Sequence, residues 1–236
     1  MKPYYDDGQI TIFNADCRDV LPTLEARSVD LILTDPPYEH EAHTPMRRTR
    51  ASIEGRADIV AMPFGVMTEE LRAEVVRESI RVGRGWSLVF CQAEAVGVYH
   101  DLYGDLWRRP MVWIKPDSSP QFTGDRPAMG YESICSAWVG EGRSRWNGGG
   151  LRGVFTYNCT DFDRFHPTQK PVTLTRRLVD LFSNPGDLIL DMFGGSGTTA
   201  RAAKDLGRRC ILIEIDERNC EIAARRLQQQ VLDLTA

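Results

Sequence analysis

Short apolar runs recur along the chain, separated by stretches whose apolar positions repeat at three- and four-residue intervals. This is the pattern of a βα-alternating domain on a mainly parallel sheet, whose strands are covered on both faces and therefore read as continuous runs. Seven runs qualify as strands: 10–14, 29–34, 86–91, 111–115, 133–138, 188–192 and 209–215. Helices are expected over 68–82, where Leu71, Val75, Ile80 and Val82 recur at roughly helical spacing, and over 173–182, 198–206 and 218–232. Gly207 is placed to stop the third of these before the next strand.

Two stretches break the rhythm. Residues 39–65 mix charges, Pro and Gly without periodicity and contain Arg47-Arg48-Thr49-Arg50. Residues 116–165 are rich in Pro, Gly, Trp and Arg, with "GEGRSRWNGGGLRG" at 140–153. Loops this long inside a compact domain are usually functional or disordered rather than plain connectors. A third irregularity is short. The run 29–33 passes directly into Thr34-Asp35-Pro36-Pro37-Tyr38, and two prolines that cannot donate to a sheet ladder must end the strand in a stiff corner. That corner carries a carboxylate, free carbonyls and an aromatic ring.

Composition narrows the class. The 236 residues, 42% of them hydrophobic, suit one globular domain with a real core, and no internal repeat is present. The formal charge of −4 means that any contact with nucleic acid must come from a local basic patch. Six scattered cysteines form no C-x-x-C pair and have no His partner at zinc-ligand spacing, which points to a reducing cytoplasm and to neither a disulfide framework nor a metal site. The amino terminus lacks the apolar core of a signal peptide and no run approaches about 18 apolar residues, so membrane and secretory roles are not expected.

Leu188 to Ala200, "LILDMFGGSGTTA", is an apolar strand, a glycine turn and a helix start. Glycines there let backbone approach a ligand closely, and the N–H groups of the helix terminus are available to it. A phosphate-binding P-loop would need lysine where Thr198 stands. The window Gly195-x-Gly197-x-x-Ala200 fits the dinucleotide fingerprint, a weak signal by itself. Asp191 at the end of one strand and Glu214 at the end of the next suit instead a nucleoside with a cationic, phosphate-free tail.

"DMFGGSGTT", "TDPPY" and His166-Pro167-Thr168-Gln169-Lys170-Pro171 together resemble the S-adenosylmethionine-dependent DNA amino-methyltransferases, which modify the exocyclic nitrogen of adenine or cytosine. The order, target motif first and cofactor motif last, is similar to the β-class arrangement, and the matching motifs span Asp16 to Asp216. The resemblance implies a Rossmann-like methyltransferase fold: an α/β domain with a mostly parallel seven-stranded sheet, helices on both faces and a circularly permuted motif order. It implies a single methyltransferase domain over 1–236, with a target-recognition insertion at about 116–165. Strands 29–34 and 188–192 would be neighbours at the switch point of the sheet, bringing the two motifs face to face.

Residue by residue, the resemblance gives Asp191, Phe193, Gly194, Gly195, Ser196, Gly197 and Thr198 to the methionine part of the cofactor and Glu214 to its ribose hydroxyls. Asp16 would accept from the cofactor's adenine amino group with Cys17 against the ring, and Thr168, Gln169 and Lys170 would close over its carboxylate. Asp35, Pro36, Pro37 and Tyr38 form the catalytic corner, with Asp35 also bordering the cofactor. Asp35 and the Pro36 carbonyl would accept the two N–H bonds of the target amine and aim its lone pair at the methyl group, and Tyr38 would stack on a base flipped out of the duplex. Phe90 and Cys91 either wall the target base or simply end their strand, and Trp113 reads as packing.

For double-stranded DNA the candidate contacts are Arg47, Arg48 and Arg50, and Arg143, Arg145 and Arg152 around Trp146. Asp at the first position of the corner is typical of adenine-N6 enzymes in the family, and Ser is common in cytosine-N4 enzymes, so Asp35 favours adenine. The chain is expected to act as a stand-alone or phage-type methyltransferase, or one of a restriction-modification pair, in the cytoplasm of a bacterial or phage-infected cell. Such enzymes often form dimers, so a homodimer is among the expected states, although no stretch marks an interface. Two rivals leave features unused. An NAD-dependent dehydrogenase has no role for "TDPPY", and a non-catalytic DNA-binding module has none for Asp35, Tyr38 and the cofactor turn together.

Overall fold

The computed structural model describes residues 1–37, 67–159 and 169–228. All seven expected strands are present: β2 (Ile10–Asn14), β3 (Val29–Thr34), β4 (Gly83–Cys91), β5 (Met111–Ile114), β6 (Tyr131–Trp138), β8 (Leu188–Asp191) and β9 (Arg209–Glu214). Two more, β1 (Tyr5–Asp6) and β7 (Val154–Thr156), add to the two edges, so the sheet expected to have seven strands has nine among the described residues. The additions are two and three residues long, too short for alternation to be read from sequence.

The spatial order is β1-β2-β9-β8-β3-β4-β6-β5-β7. Pairing is parallel from β2 through β9, β8 and β3 to β4, and again between β5 and β7. β6 runs antiparallel to both β4 and β5, and β1 is antiparallel to β2. The carboxyl ends of β2, β9, β8, β3, β4 and β5 therefore share one edge of the sheet. β6 starts at that edge, with Ser133 opposite Cys91, and ends at the other, with Trp138 opposite Trp86.

Helices cover both faces. On one lie α1 (Cys17–Val20), α2 (Glu69–Val82) and α3 (Val96–Tyr103), packed on Ile32, Val89, Leu190 and Ile213. On the other lie α4 (Val172–Phe182), α5 (Thr198–Asp205) and α6 (Glu217–Gln228), packed on Leu31, Leu33, Leu88, Ile189 and Leu212. Alternate residues of each strand thus serve alternate helix layers, which is why the strands read as unbroken apolar runs. α2 starts where Thr68 Oγ1 accepts the Leu71 N–H at 3.2 Å, with Glu69 and Glu70 in its first turn favouring the positive helix terminus. Its buried stripe is Val75, Val76, Ser79 and Val82, whereas Ile80, expected on that stripe, is 37% exposed. α3 was not expected: Gly97 and the β-branched Val96 and Val98 are weak helix formers, and burial of Tyr99 and Tyr103 overrides that preference.

The connection from β3 to β4 carries α2 on one face, and that from β8 to β9 carries α5 on the other. β3 and β8 are neighbours, with Leu31 opposite Ile189 and Ile32 opposite Leu190. A crevice opens at the carboxyl ends of such a pair, because the two chains leave it in opposite directions.

Candidate active site

β3 ends at Thr34 and β8 at Asp191, side by side at the carboxyl edge. The Thr34 hydroxyl donates to Asp191 Oδ1 at 2.9 Å and accepts the Met192 N–H at 3.2 Å. The Phe193 N–H also donates to Asp191 Oδ1, at 3.1 Å. The proline corner and the glycine turn, far apart in sequence, are therefore bonded to one another directly. Asp191 is 3% exposed. Burial pushes its carboxyl up to about 6, against the pull of the Thr199 and Thr34 hydroxyls and the Phe193 N–H.

The turn after Asp191 is shaped by glycine. Gly197 has φ +81, and a Cβ there would stand 2.6 Å from Ala223 Cβ, so this residue sets both the turn and the approach of α6. Gly194 N–H donates to the Ile213 carbonyl at 2.8 Å and Gly195 N–H to Glu214 Oε2 at 2.7 Å, tying the turn to the end of β9. Glu214 Oε1 accepts from Asp216 N–H at 2.8 Å, and burial raises the carboxyl. The Asn219 side chain is a third hydrogen-bond partner of this carboxylate, and an incoming hydroxyl would join the three. Behind the turn the buried Arg226 donates to the Ser196 carbonyl at 2.7 Å and lies near the Ser196 and Thr198 hydroxyls.

Asp16 follows β2 at the same edge and caps α1 by accepting the Arg18 N–H at 2.9 Å. The Arg18 guanidinium grips both its oxygens, at 3.0 and 2.5 Å, and holds the carboxyl below the usual range. An adenine amino group reaching Asp16 must share it with Arg18. Cys17 is buried and its thiol is pushed up to about 12, chiefly by burial, so it is a protonated, apolar wall.

On the other side of the crevice stands a line of alternating charges. Asp35 Oδ2 lies 2.8 Å from Lys170 Nζ, Lys170 Nζ lies 2.8 Å from Glu132 Oε1, and Glu132 Oε2 lies 2.6 Å from Lys115 Nζ. Lys170 also sits 5.2 Å from the Phe90 ring centroid and Lys115 4.4 Å from that of Trp113. Burial works against the Lys170 ammonium, but Asp35 and Glu132 overcome it and hold the group above its ordinary range. Burial pushes Glu132 up to about 7, with Lys170 pulling down and Asp35 adding upward. Asp35 Oδ1 is buried and has no hydrogen-bond partner among the described residues.

The sequence readings fare unevenly in space. Asp35, Pro36, Pro37, Asp191, Phe193 to Thr198, Glu214, Asp16 and Cys17 all come to the carboxyl edge. Gln169 Oε1 accepts from the Ser196 hydroxyl at 3.0 Å, docking its segment on the turn. Lys170, expected at a cofactor carboxylate, is ion-paired with Asp35 and Glu132, the acids that face it in the crevice wall. Tyr38, Arg47, Arg48, Arg50 and Thr168 lie outside the described residues. Arg143, Arg145 and Arg152 are exposed but belong to the connection from β6 to β7, at the opposite edge of the sheet. Antiparallel β6 carries the chain there, and Trp86 Nε1 and Asn147 anchor it with bonds to the Arg145 and Leu181 carbonyls. Sequence reasoning gave no role to Thr34 and Thr199, although both lie inside the quoted motifs, nor to Lys115, which closes the expected strand 111–115, nor to Glu132, which immediately precedes the expected strand 133–138.

A family model described as DNA methylase, of the N6/N4 type, matches residues 101–225, more than half of the chain. The chain belongs to the N6/N4 DNA methylase family. It is 27% identical to the type II methyltransferase M.HinfI of Haemophilus influenzae, over 97% of this chain and 71% of that protein. Among solved structures it resembles the complex of M1.HpyAVI with SAM, with a TM-score of 0.69 and 23% identity over 93% of this chain and all of that one. It resembles equally the cytosine-N4-specific PvuII DNA methyltransferase, with a TM-score of 0.69 and 15% identity over 100% and 98% of the two chains. The fold is the Rossmann-like methyltransferase fold. No group of metal-ligating side chains occurs among the described residues, and no helix among them is long and apolar enough to cross a membrane.

Proposed function

We propose that this DNA amino-methyltransferase moves a methyl group from S-adenosylmethionine to the exocyclic N6 of adenine in double-stranded DNA, after the base has been flipped from the helix. The observation that carries the reading is Asp35. It stands at the switch-point crevice beside the Asp191 turn, with one oxygen held by Lys170 and the other buried without a partner among the described residues.

The residues fit the cofactor. A Cβ on Gly195 would meet nothing within 4 Å, so the space over the turn is open, and three carboxylates border it on successive strands. Asp191 suits the ammonium of the methionine tail, Glu214 the ribose hydroxyls, and Asp16 with Cys17 the adenine. Gln169 closes on the turn through Ser196. When bound, the cofactor supplies an electrophilic methyl group on a sulfonium. Asp35 Oδ1 and the Pro36 carbonyl accept the two N–H bonds of the target amine, which localises its lone pair and stabilises the positive charge that grows on nitrogen. Pro36 and Pro37 contribute no N–H, so the corner offers acceptors only. Tyr38 is assigned to stacking on the extruded base, whose removal from the duplex costs a few kcal/mol.

Target recognition belongs to the loop 116–130 between β5 and β6 rather than to 140–153. That loop leaves and rejoins the sheet at the carboxyl edge and displays Phe122 at 82% exposure, with Met129 and Arg126 also exposed and the exposed Tyr131 where it rejoins β6. Asp rather than Ser at position 35 favours adenine, while the likeness to a cytosine-N4-specific enzyme keeps cytosine N4 as the second reading. Incubation with methyl-tritiated S-adenosylmethionine and unmethylated genomic DNA, followed by nucleoside mass spectrometry, tests both. N6-methyladenine is expected. N4-methylcytosine would move the base assignment, and label confined to RNA or protein would sink the substrate.

A further inference from the structure

Glu132 belongs to none of the sequence motifs, yet it is the hub of the charge line beside the catalytic corner. It is 5% exposed at the start of β6, opposite Trp113 of β5. Its two oxygens lie beside two different ammoniums, Lys170 at 2.8 Å and Lys115 at 2.6 Å, the contact of Oε1 with Lys170 being an ion pair without hydrogen-bond geometry, and Lys170 in turn lies 2.8 Å from Asp35 Oδ2. Four segments thus converge on one cluster: the end of β3, the end of β5, the start of β6 and the approach to α4. Drawing two carboxylates and two ammoniums together, Glu132 buried and the other three partly so, is a poor way to gain stability, since an apolar cluster of the same volume would often serve as well. What such a cluster does well is fix geometry.

We propose that Glu132 is a positioning residue for methyl transfer, acting through Lys170 to hold Asp35 with one carboxylate oxygen committed to the ammonium and the other left for the substrate amine. The inference rests on the amino-methyl-transfer reading above. An ammonium has three donors, and without Glu132 it would be drawn further onto the Asp35 carboxylate, toward Oδ1 and into competition with the amine. Glu132 draws Lys170 toward β6 and prevents this. It also sets the charge of the site. Asp35, Lys170, Glu132 and Lys115 sum to zero, and loss of the Glu132 charge would leave a net positive neighbourhood around an amine that becomes positive as it attacks.

Among the described residues, the charged groups around Glu132 are Lys115 after β5, Lys170 on the approach to α4 and Asp35 just past β3; β4 contributes the Phe90 ring beside Lys170. Because burial raises Glu132 to about 7, transfer should weaken as pH falls below neutrality and the carboxylate is protonated. Glu132→Gln keeps the shape without the charge, Glu132→Asp keeps the charge, and Lys115→Met removes the outer cation while leaving Lys170 in place. Single-turnover transfer from a preformed complex with saturating S-adenosylmethionine and DNA separates this step from binding, and calorimetry gives the cofactor affinity of each variant.

For Glu132→Gln the expected result is a transfer rate down about tenfold or more, loss of the near-neutral limb of the pH profile and cofactor affinity within about twofold of wild type. Glu132→Asp should recover part of the rate and the limb. In Lys115→Met the limb should move to higher pH, a readout that does not depend on Glu132→Gln folding. Active wild type with an unchanged rate and profile in Glu132→Gln, an unmoved limb in Lys115→Met, or equal losses at every pH in the Gln and Asp variants would overturn the inference alone. Wild type that binds the cofactor and transfers no methyl group would overturn the methyl-transfer reading and this inference with it.

Discussion

Replacing Asp191 with asparagine removes a carboxylate that is 3% exposed and shares its Oδ1 between the Thr34 hydroxyl and the Phe193 N–H. Asparagine keeps the accepting oxygen, and its amide can donate to the Thr199 hydroxyl that the carboxylate now draws in. The local fold should therefore survive while the charge goes. The charge is expensive: the step from an ordinary 3.8 to about 6, at about 1.36 kcal/mol per tenfold change in proton affinity, is about 3 kcal/mol. The folded protein holds this proton more tightly than the unfolded chain, so ionisation works against folding from about pH 4 to about pH 6, and the full cost is present at pH 7. Urea unfolding across that range is the assay. Between about pH 4 and pH 7 wild type should lose about 2 to 2.5 kcal/mol more stability than Asp191→Asn, the rest of the cost falling below pH 4, with Glu132 and Glu214 common to both proteins. The cofactor's ammonium would offset the same cost on binding, so Asp191→Asn should bind S-adenosylmethionine at least tenfold more weakly. Parallel stability curves would refute the reasoning about burial, and unchanged cofactor affinity would refute the role.

Lys170→Met leaves Asp35 and Glu132 beside one another without their shared cation, and chemical denaturation should show a loss of about 3–5 kcal/mol; a loss below about 1 kcal/mol would mean that the cluster relaxes freely. Gly197→Ala adds a methyl where φ is +81 and Ala223 Cβ would be 2.6 Å away, so thermal melts should report about 1–3 kcal/mol of destabilisation as α5 and α6 are forced apart. Arg126→Ala should weaken DNA binding and lower the salt-dependence slope by about 1, whereas the triple change Arg143→Ala, Arg145→Ala, Arg152→Ala on the far edge should alter neither; the reverse result would put DNA on the β6 to β7 connection.

The strands and the two candidate-site segments were legible because the sheet is doubly covered and because proline and glycine mark backbone that side-chain periodicity cannot explain. "TDPPY" and "DMFGGSGTT" each announce a strand end, and a parallel sheet leaves them one place to meet. What the sequence hid depends on strand direction. Nothing in Tyr131 to Trp138 says that β6 is antiparallel, and that fact alone sends Arg143, Arg145 and Arg152 away from the site and brings Glu132 into it. The fate of Lys170 was hidden for the same reason. A lysine in a proline-bounded loop reads as exposed, and only the presence of the buried Glu132 on β6 and the partly buried Asp35 just past β3 makes its position reasonable. The short edge strands were illegible because two or three residues carry no period, and α3 because the packing of Tyr99 and Tyr103 decides it, not its helix propensity.

The most direct test is single-turnover methyl transfer in Asp35→Ala, measured beside its calorimetric affinity for S-adenosylmethionine. Removing both carboxylate oxygens should reduce transfer by at least about 100-fold, the scale of losing one preorganised group that stabilises developing charge, while the cofactor still binds through Asp191 and Glu214. Transfer at the wild-type rate in Asp35→Ala, with the cofactor bound, would contradict the assignment of the amine to this corner.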